Sequence, residues 1–147
     1  MGKKKTIRAG KIPKGKKEVR IPSEADKFGE QLFKWRVNYS YIDLDHEEWG
    51  WSKLRVRDFF DILVNRLHGY ETMTWDDLLR RKSCHPMPIS EIETKAKDRL
   101  SETCEGIDTL HQIDIDRRCR LWGYKGGQFL YLIWHDPHHT VCSIRRR

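Results

Sequence analysis

The sequence predicts an α+β fold: a single antiparallel sheet, formed by a first strand plus a C-terminal meander, with about three helices packed on one face. Three observations predict it. Residues 33–43, FKWRVNYSYID, alternate between apolar and polar side chains. The middle of the chain changes to helical spacing. From residue 110 onward, alternating and continuous apolar stretches return around a glycine-rich turn.

In the first strand, Phe33, Trp35, Val37, Tyr39 and Tyr41 fall on one side, and Lys34, Arg36, Asn38 and Ser40 on the other. Period two over this length predicts a half-buried strand. An acidic loop follows at residues 43–48. Ser52 is placed to cap a helix that runs to about His68, with Val56, Phe59, Phe60, Leu63 and Leu67 as its apolar stripe and Gly69 as its stop. Thr74 with Asp77 predicts a second cap, before a short helix carrying Trp75, Leu78 and Leu79. Arg80-Arg-Lys-Ser-Cys-His85 follows, then Pro86 and Pro88. Ser90 and Glu93 have the spacing of a capping box, and Ile92, Ala96, Leu100 and Cys104 set the buried face of a third helix.

Residues 110–116 alternate weakly. Residues 119–124 and 128–134 flank Lys125-Gly126-Gly127, a hairpin turn. The second arm is apolar on both faces and reads as the central strand. Asp136-Pro137 turns the chain, and residues 140–144 complete the meander as a last strand.

Composition adds a division along the chain. The 147 residues carry a net charge of +7. Nine of the 29 basic side chains fall in residues 1–23, against one acid, so the rest is almost neutral. The predicted organisation is a disordered basic leader over residues 1–22 and one α+β domain over 23–147. No apolar run approaches the length of a membrane span, so a cytoplasmic protein without membrane span is expected. Cys84, Cys104, Cys119 and Cys142 form no CxxC and are expected as free thiols.

The chemistry concentrates near the C-terminus. His135, His138, His139 and Cys142 are zinc-ligand types, but their spacing matches no zinc signature, so no metal and no cofactor is expected. Histidine also moves protons. The turn Trp134-His-Asp-Pro-His-His139 is expected to bury Trp134, to leave His135 and His138 in solvent, and to aim His139 from the start of the last strand. Arginines are the second feature: Arg36 on the first strand, Arg117, Arg118 and Arg120 leading the hairpin, and Arg145, Arg146 and Arg147 closing the chain. Such side chains hold phosphates and stabilise the charge of phosphoryl transfer.

The pattern arginine, apolar pair, glycine, strand, W-x-D-P-x-H, carried here by Arg120-Leu-Trp-Gly123 and by Trp134 to His139, resembles a small family of uncharacterised bacterial proteins over about the last thirty residues. The order of strand, helices and basic meander is also distantly similar to RelE-type toxins, which are endoribonucleases that often cleave mRNA on the ribosome without metal. The extra helical segment and the basic leader depart from that pattern. The resemblance implies RNA or the ribosome as target and an antitoxin-like protein as partner. In that reading His139, then His138 or His85, moves the proton. Arg120 and Lys125 stabilise charge, Tyr131 stacks or donates, and Lys3, Lys4, Lys5, Arg8, Lys11, Arg36 and Arg145–Arg147 hold nucleic acid. The alternative is a non-catalytic nucleic-acid or ribonucleoprotein binding module with a basic arm.

Overall fold

A computed structural model describes residues 28–142. The expected leader, with Lys3, Lys4, Lys5, Arg8 and Lys11, and the terminal Arg145, Arg146 and Arg147 lie outside the described residues. The element order is β1 (Lys34–Arg36), α1 (Val56–Phe60), a π-helical stretch (Asp61–Arg66), α2 (Leu67–Tyr70), α3 (Trp75–Arg80), β2 (Cys84–Pro88), α4 (Thr94–Thr103), β3 (Thr109–Asp114), β4 (Arg120–Gly126) and β5 (Phe129–Asp136). The class is α+β, as predicted. Five strands form one mostly antiparallel sheet in the order β1-β5-β4-β3-β2, with only β1 parallel to its neighbour.

Helices cover both faces of this sheet instead of one. Leu121 on β4, Ile113 on β3, Cys84 on β2 and Leu130 and Leu132 on β5 join Leu67, Trp75 and Leu78 in one buried cluster under α2 and α3. Trp122, Leu110, Ile133 and Trp134 join Ala96 and Leu100 of α4 in a second cluster on the opposite face. Strand residues alternate between these two clusters because successive side chains point to opposite faces. The sheet is thus a wall between two cores.

The first strand is shorter than its alternation implies. Asn38 ends it: its side chain accepts from the Ser40 amide at 2.8 Å, and its carbonyl accepts from the amides of Tyr41 and Ile42. This Asx turn leaves Tyr39 at 92 % exposure, although the pattern places it inside. The stretch with Pro86 and Pro88, to which the sequence pattern assigns no element, forms an edge strand. Pro86 and Pro88 have the same parity on β2, so both missing N–H groups fall on the open side away from β3.

The long helix also deviates. Ser52 caps nothing; its hydroxyl donates to the Leu44 carbonyl at 2.5 Å, and helix α1 starts after Arg55. The wide π-helical turn then changes the angular step. Val56 and Phe60, expected in the core, are 71 % and 54 % exposed, while Ile62, outside the predicted stripe, is buried. The Thr74–Asp77 capping box is present in both directions. The Ser90–Glu93 box is absent: Glu93 is itself the N-cap of α4, and its side chain makes no cap hydrogen bond.

The hairpin turn is at Gly127–Gln128 and shares only Gly127, at φ +66°, with the predicted residues 125–127. Opposite the Trp122/Gly123 step, β5 carries one extra residue, Ile133. Its carbonyl accepts from the Asp43 amide at 3.0 Å and the Trp51 indole at 3.2 Å. The bulge thereby fastens the loop after β1 across the end of the sheet.

Asp43 is the buried polar centre of that loop. Arg99 of α4 donates to both its oxygens at 2.8 Å, and the Trp134 indole donates to Oδ2 at 2.8 Å. Burial pushes the Asp43 carboxyl up, but the Arg99 and Trp134 bonds and the Arg99 charge outweigh it and hold it below its ordinary value of 3.8. A depressed folded-state pKa gives stability that is complete above the unfolded pKa and is lost as pH falls through the folded one. Replacing Arg99→Met removes the opposing charge, so burial raises the Asp43 pKa above its unfolded value. The variant is expected to gain thermal stability between about pH 7 and pH 4, where the wild type does not. Thermal midpoints across that range check this; parallel profiles would refute it.

Candidate functional site: a histidine and arginine cluster at the turn end of the sheet

The ends of β3 and β5 and the start of β4 meet at one edge of the molecule, where Arg120 faces Asp114 on one side and Asp136 on the other. Beyond Asp136 the chain forms a tight turn, and among the described residues no last strand follows: residues 140–142 are irregular. Asp136 is fully buried and organises that turn. Its Oδ1 accepts from the Thr140 amide at 2.8 Å, and its Oδ2 accepts from the Val141 amide at 3.0 Å and the Trp122 indole at 3.1 Å. Thr140 Oγ1 accepts from the Trp49 indole at 2.9 Å.

His139 therefore does not start a strand. It sits in the left-handed region at φ +60°, a conformation that non-glycine residues adopt at a cost and that the surrounding bonds impose. His139 Nε2 lies 3.2 Å from Gln112 Oε1, and Gln112 Nε2 donates to Asp114 Oδ1 at 3.4 Å. The Asp114 carboxylate fixes the orientation of the Gln112 amide, since the reverse would set oxygen against oxygen. Gln112 Oε1 then accepts from Nε2–H, and Nδ1 of His139 carries the lone pair. Burial, with the Arg120 charge second, lowers the His139 pKa below 6.5, so the ring is neutral at pH 7.

Arg120 closes the chain of contacts. Its Nε lies 3.1 Å from Asp114 Oδ1, without the alignment of a hydrogen bond, and its Nη1 donates to the carbonyls of Asp116 and Cys119. His85, the strand partner of Gln112, shares this face. Five more cations ring the same edge. Arg117 and Arg118 are exposed in the β3–β4 turn, Arg81 and Lys82 precede β2, and Arg66 donates to the Ile115 carbonyl. Asp116 opposes them, but its carboxylate is turned onto the amides of Arg118 and Cys119. Among the described residues, Arg117, Arg118, Arg81 and Lys82 enter no ion pair.

The remaining sequence candidates separate. His138 is exposed, as expected. His135 is not solvated: it points to the opposite face, 3.4 Å from Cys119 Sγ and against the Trp51 ring, and burial lowers its pKa. Burial also pushes Cys119 up to about 12, so this pair is a thiol and a neutral imidazole, with no activated thiolate. Lys125 and Tyr131 lie at the hairpin end, away from His139 and Arg120. Lys125 sits over the Trp75 ring, and Tyr131 packs against Tyr41 and Tyr124. Arg36 lies over Phe129 at that same end. No group of three His, Cys, Asp or Glu among the described residues is arranged to hold a metal ion. No described helix is long and apolar enough to cross a membrane.

Sequence reasoning missed Gln112, Asp114 and Arg66. The first two lie on the polar side of the weak alternation in β3, which is the only signal the sequence carries for them. Comparison with protein-family models, curated proteins and solved structures finds no match to this chain.

Proposed function

We propose that the turn end of the sheet binds RNA and that His139 acts there as the general base of a metal-independent strand cleavage, the chemistry of a toxin-type endoribonuclease. The observation that supports this reading is the tether of His139. Its Nε2 is committed to Gln112, its Nδ1 is open, its ring is neutral, and Arg120 is beside it. A neutral imidazole with one free lone pair is suited to take the proton of a ribose 2′-hydroxyl.

The steps balance without a further reagent. The 2′-oxygen loses its proton to His139 Nδ1 and attacks the adjacent phosphorus. The bond from phosphorus to the 5′-oxygen breaks, leaving a 2′,3′-cyclic phosphate. The departing oxygen takes a proton from water or from an acid at the rim, a role for which His85 on the same face and His138 are placed. Arg120 stabilises the charge on the phosphorane, and Arg117, Arg118, Arg81 and Lys82 hold flanking phosphates. Lys125 and Tyr131 take no part.

Cleavage of single-stranded RNA by the purified chain is the test. His139→Ala is expected to lower the rate about 10²- to 10⁴-fold while the fold persists, because a half-buried ring at a turn carries little packing. The acidic limb of the pH–rate profile should lie below the ordinary histidine value, since the base must be unprotonated. Arg117→Ala with Arg118→Ala should reduce the salt slope of binding by about one per lost phosphate contact. Full activity in His139→Ala would refute the catalytic role. RNA binding that depends on Arg117 and Arg118, without cleavage, would instead identify a binding module.

A further inference from the structure

The other end of the sheet holds a feature that this reaction does not use. Between α3 and the hairpin end of β2, β3 and β4 lies a cavity of about 730 Å³. This is within the usual range for sites that take small molecules. Trp75 and Leu79 of α3 and Pro86 of β2 supply apolar walls. Trp75 is anchored from behind: its indole donates to the Gln128 carbonyl at 2.8 Å. That wall is therefore preformed.

The polar groups in the cavity are few. His111 of β3 stands edge-on to Trp75, with ring centroids 5.8 Å apart. It makes no side-chain hydrogen bond among the described residues, and its Nδ1 is buried without a partner. Burial, with Lys125 second, pushes its pKa down to about 4, so it is a neutral group with one donor and one acceptor. A buried ring nitrogen without a partner is uncommon in folded proteins and asks for an explanation. Lys125 is a fixture of the wall, donating to the Gly127 carbonyl at 2.9 Å and lying 4.8 Å from the Trp75 ring centroid. Asp76 and Asp108 line the same cavity, so its net charge does not favour an anion.

A flat, uncharged ligand with a hydrogen-bonding edge fits this lining, while a free phosphate or carboxylate does not. We propose that the cavity binds the base of a nucleoside, with His111 bonded to the heteroatom edge of the ring. The site is independent of RNA cleavage. His111 and Gln112 are adjacent on β3 and point to opposite faces, and the cavity lies at the end of the sheet remote from His139.

Calorimetric titration of the full chain with adenosine, guanosine, cytidine and uridine, and with indole as a flat ligand lacking that edge, tests this. At least one nucleoside should bind saturably, one per chain, and more tightly than indole. His111→Phe keeps the ring volume and should weaken that nucleoside at least tenfold. Leu79→Arg, on a wall residue 39 % exposed, fills the cavity without disturbing the core and should do the same. It decides the matter if His111→Phe does not fold. His139→Ala should leave nucleoside affinity unchanged, which separates this site from the cleavage site. The proposal is overturned if no nucleoside binds, if indole binds as tightly, if both cavity variants bind normally, or if His139→Ala abolishes binding.

Discussion

Asp136→Ala is expected to lower the unfolding free energy by at least about 3 kcal/mol. Among the described residues Asp136 enters no ion pair. Its carboxyl group is held by the Trp122 indole, the amides of Thr140 and Val141, and the Thr140 hydroxyl at 3.3 Å. Alanine leaves the Trp122 and Val141 donors buried and unpaired, each costing about 1–3 kcal/mol. It also releases the turn that holds His139 in the left-handed region. Asp136→Asn keeps the shape but turns an amide N–H₂ toward at least one donor, so an intermediate loss of about 1–3 kcal/mol is expected. Urea denaturation of the three proteins checks the order, with the slope of the transition unchanged. A variant Asp136→Ala as stable as the wild type would mean that water replaces every one of these bonds.

Trp134→Ala comes second, with an expected loss of about 3–5 kcal/mol for a fully buried aromatic. Trp134 is opposite Trp122 in the β4–β5 pair and lies 4.9 Å from the Trp49 ring. Its indole is one of the bonds that keep Asp43 ionised. Trp134→Phe separates the two contributions. Phenylalanine retains most of the packing, so the smaller loss of about 1–2 kcal/mol reports the bond to the Asp43 carboxylate. Equal losses in both variants would show that the bond, and not the volume, dominates. Each of these tryptophans donates to a different buried carboxylate, so Trp122→Phe should weaken the C-terminal turn, while Trp134→Phe should weaken the loop after β1.

The parts of the fold legible in the sequence were those set by local pattern. Ile92, Ala96, Leu100 and Cys104 are all buried, as their spacing requires, and Thr74 caps α3 as written. Where a second local signal competed, the pattern misled. Asn38 bonds its own backbone and cuts the alternating run short, and a π-helical turn rotates Val56 and Phe60 outward. Tertiary contacts were beyond reach. A strand built on Cys-His-Pro-Met-Pro forms only because β3 is there to pair with it. The site follows the same division. His139 and Arg120 were evident as residue types, and the structure brings them together. Gln112 and Asp114, which join them, depend on the register of β3 against β4. Lys125 was misplaced because its position on the hairpin gave no indication of which face it would occupy.

The two prolines of β2 have a consequence for how other chains meet this one. A sheet rim normally offers a ladder of amide donors on which a foreign strand can grow, and growth of that kind leads to aggregation or to capture of an extended peptide. Pro86 and Pro88 remove two successive donors from the rim that faces away from β3. At the opposite side, β1 is three residues long. Neither rim of the described sheet is a template for strand addition. Macromolecules that dock on this sheet must do so through side chains at its ends or on its covering helices, and the backbone stays out of the contact.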